Sequence, residues 1–188
     1  MLELKCLHKT FNPGTPDEVK ALSGVNLTIA DGSFTVILGT NGSGKSTLLN
    51  AVAGTFIVDS GSITLNGKDI TFMPEHGRAA YIGRVFQNPF SGTAPDMTIA
   101  ENLAIASMRG KKRRFLTALS RGAMREFYDR VKSLNMGLED RLDNNIGSLS
   151  GGQRQALTLL MACWNRPDLL LLDEHTAALD PKTAAKVL

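Results

Sequence analysis

The stretch FTVILGTNGSGKSTLLNAVAG, residues 34–54, decides the fold. An apolar run at 34–38 enters a glycine-rich loop, and the loop passes without a break into helix formers that stop at Gly54. The nine residues Gly39–Thr47 fit the spacing G-x-x-x-x-G-K-[ST] in the strand–loop–helix setting that gives this spacing its meaning. The glycines allow backbone N–H groups to close around a phosphate, Lys45 reaches the outer phosphate oxygens, and the Ser46 hydroxyl can ligate Mg²⁺. The candidate nucleotide-binding residues are therefore Gly39, Asn41, Gly42, Ser43, Gly44, Lys45, Ser46 and Thr47.

Working outward, LELKCLHKTF (2–11) and GVNLTI (24–29) cluster β-formers, Asp31-Gly32 supplies a turn, and GSITLNGKDI (61–70) places Asn66-Gly67 between two short strands as a hairpin. YIGRVF (81–86) reads as a further buried strand. From Thr98 to Asn135 helix formers dominate, and Thr98 with Glu101 matches a capping box. A long helix then spans about 152–165, stopped by Pro167, and the apolar strand Leu169–Leu172 runs into two acids. β structure, a helical insert and β structure again make an α/β protein with two subdomains.

Three further places carry chemistry. Asp173 and Glu174 stand at the C-terminal end of an apolar strand, where open α/β sheets bind ligands. Phosphoryl transfer needs one group to hold the metal and another to align or deprotonate water, and Asp173 and Glu174 fit those two jobs. Gln87 follows the 81–86 strand, and in that company it becomes a candidate contact to Mg²⁺ and the water. The segment LSGGQ (149–153) opens the long helix, so it presents a second helix N-terminus suited to an anion. One loop already cradles a phosphate, so the second start can serve another subunit's nucleotide; a glycine-flanked start to a buried amphipathic helix is the plainer alternative.

With 43% hydrophobic residues in 188, the chain can bury one ordinary core. Its longest apolar runs fall far short of the ~20 residues a membrane-spanning helix requires, so a membrane role needs other chains. Two cysteines, Cys6 and Cys163, make no disulfide framework, and no signal-peptide pattern opens the sequence, so a reducing cytosol is expected. The net charge of +3 is uneven. Residues 109–132 hold nine lysines and arginines against Glu126 and Asp129, a run that suits a solvated face, an anionic membrane surface or nucleic acid.

In this order the motifs resemble the ATP-binding cassette family: Gly39–Thr47, Gln87, LSGGQ at 149–153, LLLLDE at 169–174 and AALD at 177–180. The resemblance implies a P-loop NTPase core, a mixed sheet flanked by helices, with an N-terminal antiparallel β subdomain and an inserted α-helical subdomain. It implies one nucleotide-binding domain over 1–188, incomplete at its C-terminus, with the core at 1–97 and 147–188 and the helical subdomain at about 98–146. Two cassettes would pack head to tail, so that Ser150, Gly151, Gly152 and Gln153 of one cover the γ-phosphate of ATP held by Lys45 of the other. Asp180 would link the two sites, Phe11 would stack on adenine, and Ser46, Gln87 and Asp173 would hold Mg²⁺, with Glu174 and Gln87 as the catalytic pair. His175 stands where most transporter cassettes have proline and is not the family's switch histidine, which together with later C-terminal elements is expected beyond residue 188.

By resemblance the function is ATP hydrolysis powering solute transport from the cytoplasmic face of the membrane. The partners are a second cassette in a homo- or heterodimer, separate permease subunits and, for an importer, a solute-binding protein, with no direct nucleic acid contact expected. DEHTAALDP together with NPGTPDEVKAL (12–22) resembles importer ATPases serving amino-acid-like solutes. The rival is a soluble cassette acting on nucleic acid or ribosomes, supported by the basic run, and a third reading is a nucleotide-binding interaction module without hydrolysis, against which Glu174 stands.

Overall fold

The computed structural model describes residues 1–111 and 119–173, and the chain divides into two compact units, 1–79 and 80–188. In the first, β1 (Leu2–Phe11), β2 (Val19–Ile29), β3 (Ser60–Leu65) and β4 (Lys68–Asp69) form an antiparallel sheet in the order β2-β1-β3-β4. The β3–β4 hairpin turns on Asn66 and Gly67, both at positive φ as the sequence predicts for Asn-Gly. Leu2 and Leu4, Leu7 beyond a bulge at Lys5–Cys6, and Ile63 and Leu65 are buried along β1 and β3 and form the sheet's core face. At the far end of β1, Lys9 Nζ donates to Asp59 Oδ1 at 2.8 Å, and the Thr10 N–H donates to Asp59 Oδ2 at 2.7 Å. The lysine first, and then the backbone donor, hold the Asp59 carboxyl below its ordinary value.

Helix α1 (Lys45–Ala53) follows the glycine loop, and α2 (Glu75–Arg78) closes the unit. The apolar run at 34–38, expected as a strand, carries none, and Phe34 and Leu38 are 79% and 86% exposed. A strand of this kind is stabilised by neighbours reached through long crossovers, whereas hairpin strands find theirs locally. Among the described residues β1 to β4 pair with one another and β5 with β6, so nothing pairs with 34–38.

In the second unit β5 (Ile82–Val85) and β6 (Leu169–Leu172) pair in parallel, Ile82 opposite Leu169 and Val85 opposite Leu172. Helices α3 (Ile99–Ser107), α4 (Arg121–Lys132) and α5 (Gly151–Cys163) pack around Leu103, Phe127, Val131, Leu138, Ile146 and Leu157, all nearly or wholly buried. The expected box at the start of α3 is present: the Glu101 N–H donates to Thr98 Oγ1 at 3.1 Å, and the Thr98 N–H donates to Glu101 Oε2 at 2.8 Å. The core reaches into α5 through Leu157 and Trp164, whose ring meets Phe127 edge to face at 5.5 Å. No helix among the described residues is long and apolar enough to cross a membrane.

Candidate functional site

The glycine loop is shaped by close approach. Gly44 caps α1 at φ 88°, and a Cβ there would lie 2.7 Å from the Ala21 carbonyl oxygen. A Cβ on Gly39 would lie 2.5 Å from Ser43 Oγ. Gly44 thus excludes any side chain, whereas at Gly39 the Ser43 hydroxyl would have to turn away, and no side chain caps the α1 start, whose first N–H groups lack intrahelical acceptors. The Lys45 ammonium is folded over the loop, donating to the Gly39 and Thr40 carbonyls at 2.9 Å each. Ser46 is exposed beside it. An open groove of about 350 Å³ runs alongside, lined by Ala21, Leu22, Val25, Gly39, Gly44 and Lys45. Uncapped donors, a cation held over the loop and an open groove form a cradle for an anion with several phosphates.

The far end of α1 is secured by a residue that sequence reading did not single out. Arg78 is 1% exposed, and its guanidinium donates to the carbonyls of Ala51 (2.7 Å), Val52 (2.9 Å), Thr71 (2.8 Å) and Met73 (2.7 Å). It supplies the positive charge that the last turn of α1 lacks. Burial pulls its pKa down and Asp69 opposes that shift, while a guanidinium remains charged throughout. Phe11 sits at the end of β1, half-buried, with its ring edge-to-face on Phe56 at 5.3 Å and the Lys9 ammonium 5.7 Å from its centroid.

In the second unit the parallel pairing brings two expected residues to the same strand ends. The Asp173 N–H donates to the Val85 carbonyl at 3.2 Å, so Asp173 and Gln87 both emerge at the C-terminal edge of β5 and β6. Asp173 is half-buried and Gln87 exposed. Ser150 caps α5: the Gln153 N–H donates to Ser150 Oγ, and the Ser150 N–H donates to Gln153 Oε1, each at 3.3 Å. This is a capping box that the spacing S-x-x-Q announces. Gly151 and Gly152 form the first turn, with Gly151 exposed. Glu174, His175 and Asp180 lie outside the described residues.

The sequence profile of the ABC transporter family matches residues 22–177. The chain belongs to the ABC transporter family. A tyrosine transport ATP-binding protein of Clostridioides difficile is 43% identical over all of this chain and 74% of its own length. The lipoprotein-releasing ATP-binding protein LolD 1 of Caulobacter vibrioides is 34% identical over the whole chain and 78% of itself. Among solved structures, the dimeric post-hydrolysis state of the cassette MJ0796 bound to ADP and Pi superposes with a TM-score of 0.84 at 29% identity, covering all of this chain and 79% of that one. The fold is the P-loop NTPase fold of these cassettes, and the activity is the hydrolysis of ATP that powers transport.

Proposed function

We propose that this chain is the nucleotide-binding subunit on the cytoplasmic face of a membrane transporter, where it works as one half of a pair of cassettes and drives separate permease subunits. The observation that carries the reading is the uncapped, glycine-flanked start of α1 with the Lys45 ammonium folded over it. The loop from Gly39 to Thr47 holds the phosphates of ATP by backbone N–H groups, Lys45 neutralises the outer oxygens, and Phe11 stacks on the base. Ser46, Asp173 and Gln87 would hold Mg²⁺, which supplies neutralisation of charge on the β- and γ-oxygens. Glu174 takes a proton from water as its oxygen attacks the γ-phosphorus, and the bond to ADP breaks.

The remaining division of labour follows the same reading. Residues 1–97 and 147–188 form the core, and about 98–146 the helical subdomain. Ser150, Gly151, Gly152 and Gln153 address the γ-phosphate held by the partner cassette, and Asp180 lies between the two sites. The dimeric MJ0796 structure supports this pairing. The helical insert, with the groove beside Gln87, docks a short cytoplasmic helix of a permease subunit, the basic run at 109–132 lies near anionic headgroups, and a solute-binding protein serves an import arrangement. The tyrosine-transport relative supports an amino-acid-like solute, although relatives named for lipoprotein release and for spermidine and putrescine import carry similar cassettes, so other subunits choose the cargo.

Mixing variants of the full-length protein tests the composite site. Ser150→Arg and Lys45→Ala chains should each be inactive alone, the first binding ATP as a monomer like the parent and the second about tenfold or more weaker. Mixed, they form heterodimers with one intact site, Lys45 from one chain and Ser150 from the other, and hydrolysis reappears. Continued inactivity of a mixture proven to contain heterodimers would refute the shared site.

A further inference from the structure

The start of α5 and the loop after β5 are tied together by one buried arginine. We propose that Arg154 is a positioning residue for hydrolysis, holding the Ser150 helix start and the Gln87 loop as a single body. Arg154 is 4% exposed, in the first turns of α5. Its Nε donates to the Ile146 carbonyl at 3.3 Å, and its Nη2 donates to the carbonyls of Gly147 (2.8 Å) and Leu149 (3.0 Å). Those carbonyls belong to the segment leading directly into Ser150. No carboxylate pairs with this guanidinium among the described residues.

The flat face of the same group lies on Phe90, with the guanidinium carbon 3.7 Å from the ring centroid. Phe90 belongs to the 3₁₀ turn Pro89–Gly92, two residues after Gln87 and capped by Asn88, whose Oδ1 accepts the Phe90 N–H at 3.0 Å and fixes the turn. A guanidinium can donate in its plane and stack on its face at once, which a lysine cannot do. A second strap runs parallel to the first. Buried Asn102 clamps Ala94, accepting its N–H at 2.8 Å and donating to its carbonyl at 3.1 Å. From that clamped segment, the Pro95 and Met97 carbonyls accept from the Gly147 and Ile146 N–H groups at 3.0 Å each. The turn after Gln87, through Phe90, and the segment that follows it, through Pro95 and Met97, are thus both anchored to residues 146–149 or to the arginine that grips them.

This inference rests on the reading that Gln87 serves the chain's own ATP and Ser150 the partner's. A residue joining them makes the two nucleotide sites of a dimer depend on each other. A displacement of the Gln87 turn moves Phe90, and the stacked guanidinium carries the carbonyls ahead of Ser150 with it. Misplacement by about 1 Å at such a site can cost on the order of 100-fold in rate.

The test is a double-mutant cycle in the full-length protein with Phe90→Ala, Arg154→Lys and the double variant, together with Phe90→Trp. Phe90 is 49% exposed, so its truncation leaves the fold intact, and a thermal scan verifies that. Each single variant should bind ATP within about twofold of the parent Kd and lose about tenfold or more in kcat, with KM for ATP changed less than about threefold. The double variant should fall no further than the worse single, and Phe90→Trp should keep at least about half the parent kcat. A Phe90→Ala enzyme turning over at the parent rate, losses that multiply in the double variant, or a loss of ATP binding in step with kcat would each overturn the proposal. If Arg154→Lys does not fold, the contrast of Phe90→Ala with Phe90→Trp decides. Ser150→Arg and Lys45→Ala run alongside: either one hydrolysing at the parent rate indicts the underlying reading, whereas both inactive beside a fully active Phe90→Ala indicts this inference alone.

Discussion

Replacing Arg78 by methionine keeps most of the side-chain volume and removes the donors that four buried carbonyls share. Hydrogen bonds to a charged group are worth about 1.5–3 kcal/mol each, so the gross loss approaches ~6–12 kcal/mol. Returning the guanidinium to water in the unfolded chain offsets several kcal/mol of that, and with no opposite charge left buried, the carbonyls stripped of their donors leave a net cost of about 3–5 kcal/mol. At roughly 2–4 °C per kcal/mol for a protein of this size, the thermal midpoint should fall by about 6–20 °C. Calorimetry of the full-length protein reads the midpoint, and hydrogen exchange locates the damage. Amides of the last turn of α1 and the Gly54 cap, which donates to the Asn50 carbonyl at 2.9 Å, should lose protection first. A midpoint within about 2 °C of the parent, with protection at α1 unchanged, would refute the assignment of Arg78 as the clamp on that helix.

Gly44→Ala should be destabilised by about 2–5 kcal/mol, from left-handed backbone strain plus a methyl forced against the Ala21 carbonyl, and urea unfolding should show it. The same variant should lose ATP affinity in a fluorescent-nucleotide titration, since the α1 start shifts. Asp59 has a folded pKa below 3.8, so it contributes stability that is present above that value and lost as pH falls through the folded value. Asp59→Asn should accordingly lower the thermal midpoint at pH 7 and narrow its difference from the parent in scans near pH 2. Lys45→Ala should weaken ATP binding by about 10-fold or more, as expected for losing a charged donor to phosphate.

Much of this architecture was legible because it is written in local chemistry. The spacing from Gly39 to Thr47 needs small residues at close approaches, and Gly39 and Gly44 stand where a Cβ would collide. Asn66-Gly67 and the Thr98–Glu101 box are likewise short-range devices whose partners lie within a few residues. The run at 34–38 shows the limit: its composition says strand, yet strand formation depends on partners distant in sequence, and among the described residues it is unpaired. Arg78 and Arg154 were invisible for a related reason. Their acceptors are backbone carbonyls, which every residue carries, so no pairing pattern marks either arginine among 21 basic residues. The box between Ser150 and Gln153 is written in the spacing S-x-x-Q, which lies over the same glycines that suggest an anion site.

If the nucleotide site is shared between cassettes, one chain binds ATP and hydrolysis occurs only between two. Glu174→Gln in the full-length protein tests it most directly, by size-exclusion chromatography with and without Mg-ATP alongside a turnover assay. The expected result is an ATP Kd within about threefold of the parent, kcat reduced by about 100-fold or more, and a stable dimer holding two ATP molecules that disperses when nucleotide is removed. A Glu174→Gln protein that hydrolyses ATP at the parent rate, or that stays monomeric at saturating Mg-ATP, would contradict it.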